Sequence, residues 1–258
     1  MAWKYTADIP DGFDHELCRI ARVELACDPM DLARPLFNES GLSFKAHNPK
    51  GDASGIFQAM PFVLRGLGFK GAGGYTEPPG AYAKALAAGD EIAMAALNRA
   101  LAAAFRTLDA TAQLPWLARY YTPHRGKLVN ATAVYLATFA PADLAHATDP
   151  EWVICGSRPS DRRKHWYPVN IGLDPKRGDP PTRKGWIEVR DLTLAIARAD
   201  QGPRWDELAV RITMADSLFW GPRTSAPDPA MDPRNILAGA AAPSLIRPPP
   251  DDDPDDAA

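Results

Sequence analysis

One short segment constrains this chain more than any other. A carboxylate ends an apolar run at Glu39-Ser40-Gly41, and the later segment 53–61 reads Ala-Ser-Gly-Ile-Phe-Gln-Ala-Met-Pro. Asp28 is a good N-cap and Pro29 suits the first helical position, so a helix should begin there and run to Glu39. Pro61 should open another helix. The segment therefore predicts two helices joined by a loop, with an acid at the end of the first.

Apolar periodicity predicts further helices, of which 90–108 is the clearest. Its apolar face would consist of Ile92, Met94, Leu97, Leu101, Phe105 and Leu108. Pro35 should kink or break the helix that ends at Glu39, and the Gly- and Pro-rich residues 70–80 should form a surface loop. The other helical patterns cover residues 13–25, 112–121, 128–139, 187–199 and 205–219. The predicted fold class is mainly α.

Composition and charge divide the chain into a fold and a tail. Hydrophobic residues make up 46% of the 258 residues, which is enough for a sizeable core. The net charge is −3, and residues 222–258 contain three Arg and seven Asp, so residues 1–221 sum to about +1. We expect one domain over 1–221, with a C-terminal helical extension, and a disordered Pro- and Asp-rich tail over 222–258. A nearly neutral fold argues against a nucleic-acid binder.

Several classes of protein are disfavoured by what the sequence lacks. Three cysteines do not make a disulfide framework, and reduced, partly buried thiols are expected. No His or Cys pair has zinc spacing, so no metal site is predicted. The first residues lack the apolar core of a secretory signal, and no run of 18 apolar residues exists, so neither a signal peptide nor a membrane span is expected.

The order and spacing of residues 39–61 resemble the active-site segment of the soluble lytic transglycosylases, lysozyme-like enzymes that cleave the glycan strands of peptidoglycan. The family pattern is Glu-Ser, a loop often containing Asn-Pro, then Gly-Leu-Met-Gln or Gly-Leu-Ile-Gln, then Met-Pro. The matching residues here are Glu39-Ser40, Asn48-Pro49, Gly55-Ile56-Phe57-Gln58 and Met60-Pro61. A weaker resemblance extends over roughly 28–195. It implies a lysozyme-like fold, no cofactor and peptidoglycan glycan strands as the partner.

Glu39 is the candidate catalytic residue. A carboxyl beside apolar residues keeps its proton because desolvation disfavours the charged form. The resemblance implies that this single Glu cleaves the β-1,4 bond between MurNAc and GlcNAc. It would first act as an acid, and then as a base while the muramic-acid 6-hydroxyl closes onto the anomeric carbon. The substrate-binding residues that the resemblance implies are Ser40, Gly55, Gln58, Met60 and Tyr135.

The chain departs from the family around Tyr135, whose hydroxyl would help to hold Glu39. Leu136 replaces the usual Asn, and Thr138 and Phe139 replace a small residue and a glycine. A segment from Tyr167 onward is similar to a degenerate half EF-hand, in which Pro, Lys and Arg replace oxygen ligands, so no calcium site is expected.

Other interpretations stay open. Asp52 is either a loop cap or the second carboxylate of a hydrolytic muramidase on the same fold. Ser40 either contacts the sugar or makes a local backbone hydrogen bond. Trp116 and Trp152 either stack on sugars or pack in the core. A basic cluster either binds anionic wall polymers or is a solvated loop; it consists of Arg158, Arg162, Arg163, Lys164, His165 and Trp166.

The predicted cellular route follows from the conflict between a cell-wall substrate and the missing signal. Such an enzyme would be made in the cytoplasm and delivered by a phage particle, a holin-type lesion or another export machine. Other virion or export components would then be possible partners. A different class of protein also fits: a virion structural component or a wall-binding protein without catalysis.

Overall fold

A computed structural model describes residues 4–49, 51–158, 161, 163–174 and 182–220. These residues form a mainly helical fold with two small antiparallel strand pairs, as the periodicity predicts. The helices are α1 (Phe13–Arg19), α2 (Pro29–Ser40), α3 (Pro61–Gly66), α4 (Ala81–Ala87), α5 (Glu91–Phe105), α6 (Ala110–Tyr121), α7 (Ala131–Phe139), α8 (Trp166–Val169), α9 (Val189–Ala199) and α10 (Pro203–Trp220). The strands are β1 (His47–Asn48), β2 (Ala53–Ser54), β3 (Val153–Gly156) and β4 (Trp186–Glu188). The predicted tail, 222–258, lies outside the described residues.

The helix that carries the candidate acid begins where its caps predict. The Asp28 carboxylate accepts a hydrogen bond from the Met30 backbone N–H at 2.8 Å, and Pro29 occupies the first helical position. Of the kink or break predicted at Pro35, the break is wrong, because α2 continues through Pro35 to Ser40. Proline removes one backbone hydrogen bond. Pro35 is buried, as is Leu36 next to it, and the packing of this face offsets that loss.

A single core joins the two ends of the described chain. α2 packs against α7 and α9, and α1, which continues as a π-helical turn over Ile20–Leu25, packs against α10. The buried guanidinium of Arg211 on α10 contacts the Asp14 carboxylate on α1 at 2.9 Å. The largest fully buried side chains of the core include Phe13, Leu17, Leu32, Leu36, Phe105 and Tyr121. Cys18, Cys27 and Cys155 are buried free thiols, as expected.

The predicted apolar face of 90–108 is only partly right. Leu101 and Phe105 are fully buried, whereas Ile92 is 84% exposed. The first turns of α5 extend beyond the core and pack on α4, an Ala-rich helix that the periodicity did not predict. Apolar residues at the free end of a helix gain no burial, whatever their spacing.

The two strand pairs each support a loop. β1 pairs with β2, with His47 opposite Ser54, and this hairpin lies in the segment between α2 and α3. β3 pairs with β4, which leads directly into α9.

In the described part of the chain, no helix is long and apolar enough to cross a membrane. The same residues contain no group of three or more His, Cys, Asp or Glu that could hold a metal ion.

Candidate active site

Glu39 lies in the last turn of α2, where the helix leaves the core. Its side chain is partly buried, and this burial raises the pKa of the carboxyl above its ordinary value. The C-terminal end of a helix carries partial negative charge, which also disfavours a carboxylate. The Tyr135 hydroxyl interacts with the carboxyl and partly offsets the rise in the pKa of Glu39. The site therefore favours a protonated Glu39 while providing one donor for its charged form.

Tyr135 reaches Glu39 because α7 packs against α2. Its ring is 8% exposed, and burial, followed by the nearby Glu39 charge, raises the pKa of the Tyr135 phenol well above its usual range. A phenol with a raised pKa keeps its proton and acts as a donor. The structure thus brings Tyr135 to Glu39 although Leu136 and Phe139 depart from the family pattern.

Ser40 joins the end of α2 to the segment that carries Gln58. Its hydroxyl donates a hydrogen bond that is shared by two backbone carbonyl oxygens. The Ile56 oxygen lies at 2.8 Å and the Leu36 oxygen at 3.0 Å. The second contact is the local backbone bond that the sequence left open. The first is a long-range link that fixes the Gly55–Gln58 turn relative to Glu39.

Gln113 completes this link, and sequence reasoning missed its role. Its side chain is fully buried on α6, and its carbonyl oxygen accepts the Ile56 N–H at 2.8 Å. Its amide nitrogen donates to three backbone carbonyls, those of Phe44, Phe105 and Leu108, at 3.0–3.2 Å. Ile56 is therefore held on both sides, by Ser40 at its carbonyl and by Gln113 at its N–H. A sequence signal for this role is the position of Gln113 within the predicted helix 112–121, where it shares a helical face with Leu117 and Tyr121.

Gly55 is buried against Gln113 rather than exposed at the surface. Its φ is +78°, and a Cβ there would lie 2.3 Å from the Gln113 side-chain oxygen and 2.6 Å from the Phe105 ring. Only glycine fits this backbone conformation and this close approach. Gly55, which the resemblance places among the substrate-binding residues, therefore lies against the Gln113 side chain.

Gln58 lies at the end of this tight turn. Ser54 and Ala59 pair across the turn in an antiparallel bridge. Gln58 adopts a left-handed φ of +47°, and its side-chain amide donates to the Gly55 carbonyl at 3.1 Å. A left-handed conformation costs a non-glycine residue roughly 1–3 kcal/mol and persists only where the surroundings impose it. Met60 follows as the N-cap residue of α3 and is partly exposed.

Asp52 lies in the β1–β2 hairpin and contacts His47. One carboxylate oxygen is 3.4 Å from the imidazole Nε2, and the backbone of Asp52 is left-handed, with φ +57°. Its carbonyl accepts the Ser54 hydroxyl at 3.1 Å, and Arg106 donates to the same hydroxyl at 2.8 Å. Asp52 therefore lies in the hairpin loop, with His47 beside its carboxylate.

Aromatic rings extend in two directions from the tyrosines near Glu39. Tyr121 is fully buried, and its hydroxyl lies 2.7 Å from that of Thr138. Its neighbour Tyr120 contacts Phe57 in the Gly55–Gln58 turn, with centroids 5.9 Å apart. On the other side, Tyr135 stacks on Phe139.

The two tryptophans and the basic cluster singled out in the sequence contact neighbouring side chains of the protein. Trp116 packs on Phe69 with ring centroids 5.1 Å apart, and Trp152 stacks on His146 at 3.4 Å. In the basic cluster, Arg163 pairs with the fully buried Asp143, whereas Arg162 lies outside the described residues.

The segment expected to be a degenerate calcium loop is described only at its two ends. There Asp174 accepts hydrogen bonds from the Tyr167 hydroxyl at 2.8 Å and the Gly185 N–H at 2.9 Å. Residues 175–181 lie outside the described part. The carboxylate of Asp174 therefore joins the two ends of this segment.

Comparison with known proteins adds no relative to this picture. No family model, curated protein or solved structure matches the chain.

In the described part of the chain, one surface cavity of about 300 Å³ is lined by Arg211 and its neighbours, and another of about 580 Å³ by His124 and its neighbours. Glu39 lines neither of these two cavities.

Proposed function

We propose that this protein is a peptidoglycan lytic transglycosylase with a lysozyme-like fold. It cleaves the β-1,4 bond between MurNAc and GlcNAc, with Glu39 as its single catalytic residue. The observation that carries the proposal is the environment of Glu39: burial raises the pKa of the carboxyl, and the Tyr135 hydroxyl lies beside it. A carboxyl whose pKa is raised holds its proton to higher pH, and a glycosidic leaving group requires such a proton donor.

The two halves of the reaction use the same carboxyl. Glu39 donates its proton to the glycosidic oxygen, the bond to the anomeric carbon breaks, and the substrate's own acetamido group stabilises the cationic centre. The Glu39 carboxylate then accepts the proton of the muramic-acid 6-hydroxyl as that oxygen bonds to the anomeric carbon. No water is consumed, and Glu39 ends protonated. Tyr135 donates to the carboxylate that exists between the two steps.

The other predicted substrate-binding residues supply the wall of the site. Gln58 is partly exposed and presents an amide to acetamido groups or hydroxyls, and Met60 lies next to it at the start of α3. Ser40 and Gly55 support this wall from behind through Ile56 and Gln113. The glycan strand is the partner, and delivery by a phage particle, a holin-type lesion or another export machine brings the protein to it.

Mass spectrometry of muropeptides tests the proposal. Purified protein is incubated with peptidoglycan sacculi of several wall types, and the released fragments are weighed. Fragments that end in 1,6-anhydromuramic acid, one water lighter than hydrolysis products, are expected. Reducing ends would indicate a hydrolytic muramidase, and Asp52→Asn would then test the second carboxylate. Binding without fragments would indicate a wall-binding or virion structural protein.

Tyr135→Phe should move the pH dependence of this activity. The Tyr135 hydroxyl lowers the pKa of Glu39, so its removal raises that pKa further. The basic limb of kcat/KM, where Glu39 loses its proton, should therefore move to higher pH. The maximal rate should fall roughly 10-fold or more, since a hydrogen bond to a charged group contributes about 1.5–3 kcal/mol. Rates measured from pH 4 to 9 check this.

Tyr120→Phe is the matched control for this shift. The Tyr120 hydroxyl interacts with Thr138 rather than with Glu39. Its removal should leave the basic limb where it is. An unmoved limb in Tyr135→Phe would contradict the role given to Tyr135.

A further inference from the structure

A row of aromatic rings leads from Glu39 along α7 to the start of α8. Tyr135 stacks on Phe139 one helical turn later, with centroids 6.3 Å apart and planes 12° apart. Phe139 contacts Trp166, with centroids 5.8 Å apart. Tyr135 is buried, whereas Phe139 and Trp166 are both partly exposed. The row therefore becomes accessible as it leaves the carboxyl.

Trp166 is held in place by the protein itself. Its backbone N–H donates to the Arg163 carbonyl at 2.8 Å, and the Arg163 guanidinium lies 4.9 Å from its ring centroid. Arg163 in turn pairs with the fully buried Asp143. The Asn170 amide donates to the Trp166 carbonyl at 2.9 Å. A partly exposed ring that is already fixed loses little rotamer freedom when a ligand packs on it.

The chemistry of the row points to one class of ligand. Aromatic rings pair a large apolar area with a negative face, which attracts the weakly positive C–H groups of a flat partner. A pyranose ring presents such C–H groups on one face and its hydroxyls at the edge. The two centroid distances sum to about 12 Å, so Trp166 lies within about 12 Å of Tyr135 and within reach of a glycan strand bound at Glu39.

We infer that Phe139 and Trp166 form a stacking platform for the sugar residues next to the bond at Glu39. This inference rests on the proposed function for the chemistry at Glu39. The exposed parts of the two rings bind saccharide by apolar contact, and they take no part in proton transfer. Removing one of them therefore weakens saccharide binding and leaves the catalytic carboxyl in place.

Calorimetric titration with tetra-N-acetylchitotetraose tests the platform. The background is Glu39→Gln, which holds the ligand without turnover. Trp166→Ala and Phe139→Ala in this background should each raise Kd about 3- to 10-fold, the effect of losing one ring contact. Trp166→Phe keeps a ring and should restore most of the affinity.

A matched control shows whether the effect belongs to the row. Trp152 is also partly exposed and stacked on a ring, that of His146, but it is not part of the row. Trp152→Ala should leave Kd unchanged. Thermal unfolding of every variant shows that the compared proteins are folded.

The outcomes separate the platform from the proposed activity. Equal Kd values in Glu39→Gln and in both alanine variants would overturn the platform, while release of anhydro fragments by the unaltered protein would still support the activity. Ring-dependent binding by a protein that releases no fragments would support the platform and remove the activity. Failure of Glu39→Gln to bind either the tetrasaccharide or whole peptidoglycan would overturn the platform.

Discussion

Glu39→Gln should lose about 10²–10⁴-fold of the glycan-cleaving rate, the usual contribution of a general acid–base group. The amide keeps the size and polarity of the carboxyl but has no proton to give to the leaving oxygen. Release of anhydromuropeptides, followed by mass spectrometry, measures the loss. Glu151→Gln, at an exposed carboxylate, is the control and should retain full activity. Equal activity in Glu39→Gln would remove Glu39 from the mechanism.

The same variant should not be less stable, and the sign follows from the pKa. The folded pKa of Glu39 lies above its ordinary value of 4.5, so the folded protein binds the proton more tightly than the unfolded chain does. Ionisation of Glu39 therefore costs stability as pH rises from 4.5 through the folded pKa. Gln has no such cost. The unfolding temperature of Glu39→Gln should equal or exceed that of the unaltered protein at pH 8, and the difference should vanish below pH 4.

Gln113→Leu should destabilise the protein by about 3–5 kcal/mol, because it removes four hydrogen bonds between the backbone and a fully buried side chain. The Ile56 N–H and the carbonyls of Phe44, Phe105 and Leu108 all bond to this one side chain. Leucine fills a similar volume, so the loss of stability comes from the lost hydrogen bonds rather than from a cavity. Thermal unfolding should show a decrease of roughly 10 °C.

Amide hydrogen exchange locates the damage from Gln113→Leu. The Ile56 amide should exchange faster than in the unaltered protein, since it loses its acceptor. Gln201→Leu, at an exposed glutamine, is the control and should change stability by about 0.5 kcal/mol or less. A Gln113→Leu protein within 1 kcal/mol of the original would mean that water replaces the amide.

Local features of the sequence predicted the elements that carry the site. The Asp28 cap, Pro29 at the first turn and Pro61 at the start of α3 are confirmed, because capping depends on groups within three or four residues. The helices predicted over 112–121 and 128–139 are confirmed to within three residues at each end. Such bounds depend on short-range hydrogen bonds and periodicity, which a sequence displays directly.

Other features could not be predicted from local patterns. Burial stabilises Pro35 inside α2, and Ile92 is exposed because α5 extends past the core. α4 has too few large apolar residues to produce a periodic signal. The link between Ile56 and Gln113 joins residues that are 57 positions apart. No local rule indicates which distant amide will fill a buried position.

The sequence by itself determined a mainly helical protein with a carboxylate at the end of a capped helix, and a Gly–Gln turn before the next helix. These follow from capping, proline geometry and apolar spacing, all of which act over a few residues. Only the tertiary structure decided that Glu39 is partly buried beside Tyr135, and that Ser40 and Gln113 hold Ile56 from both sides. Desolvation and long-range hydrogen bonds depend on how helices pack, and the packing of α2, α6 and α7 is a property of the whole core.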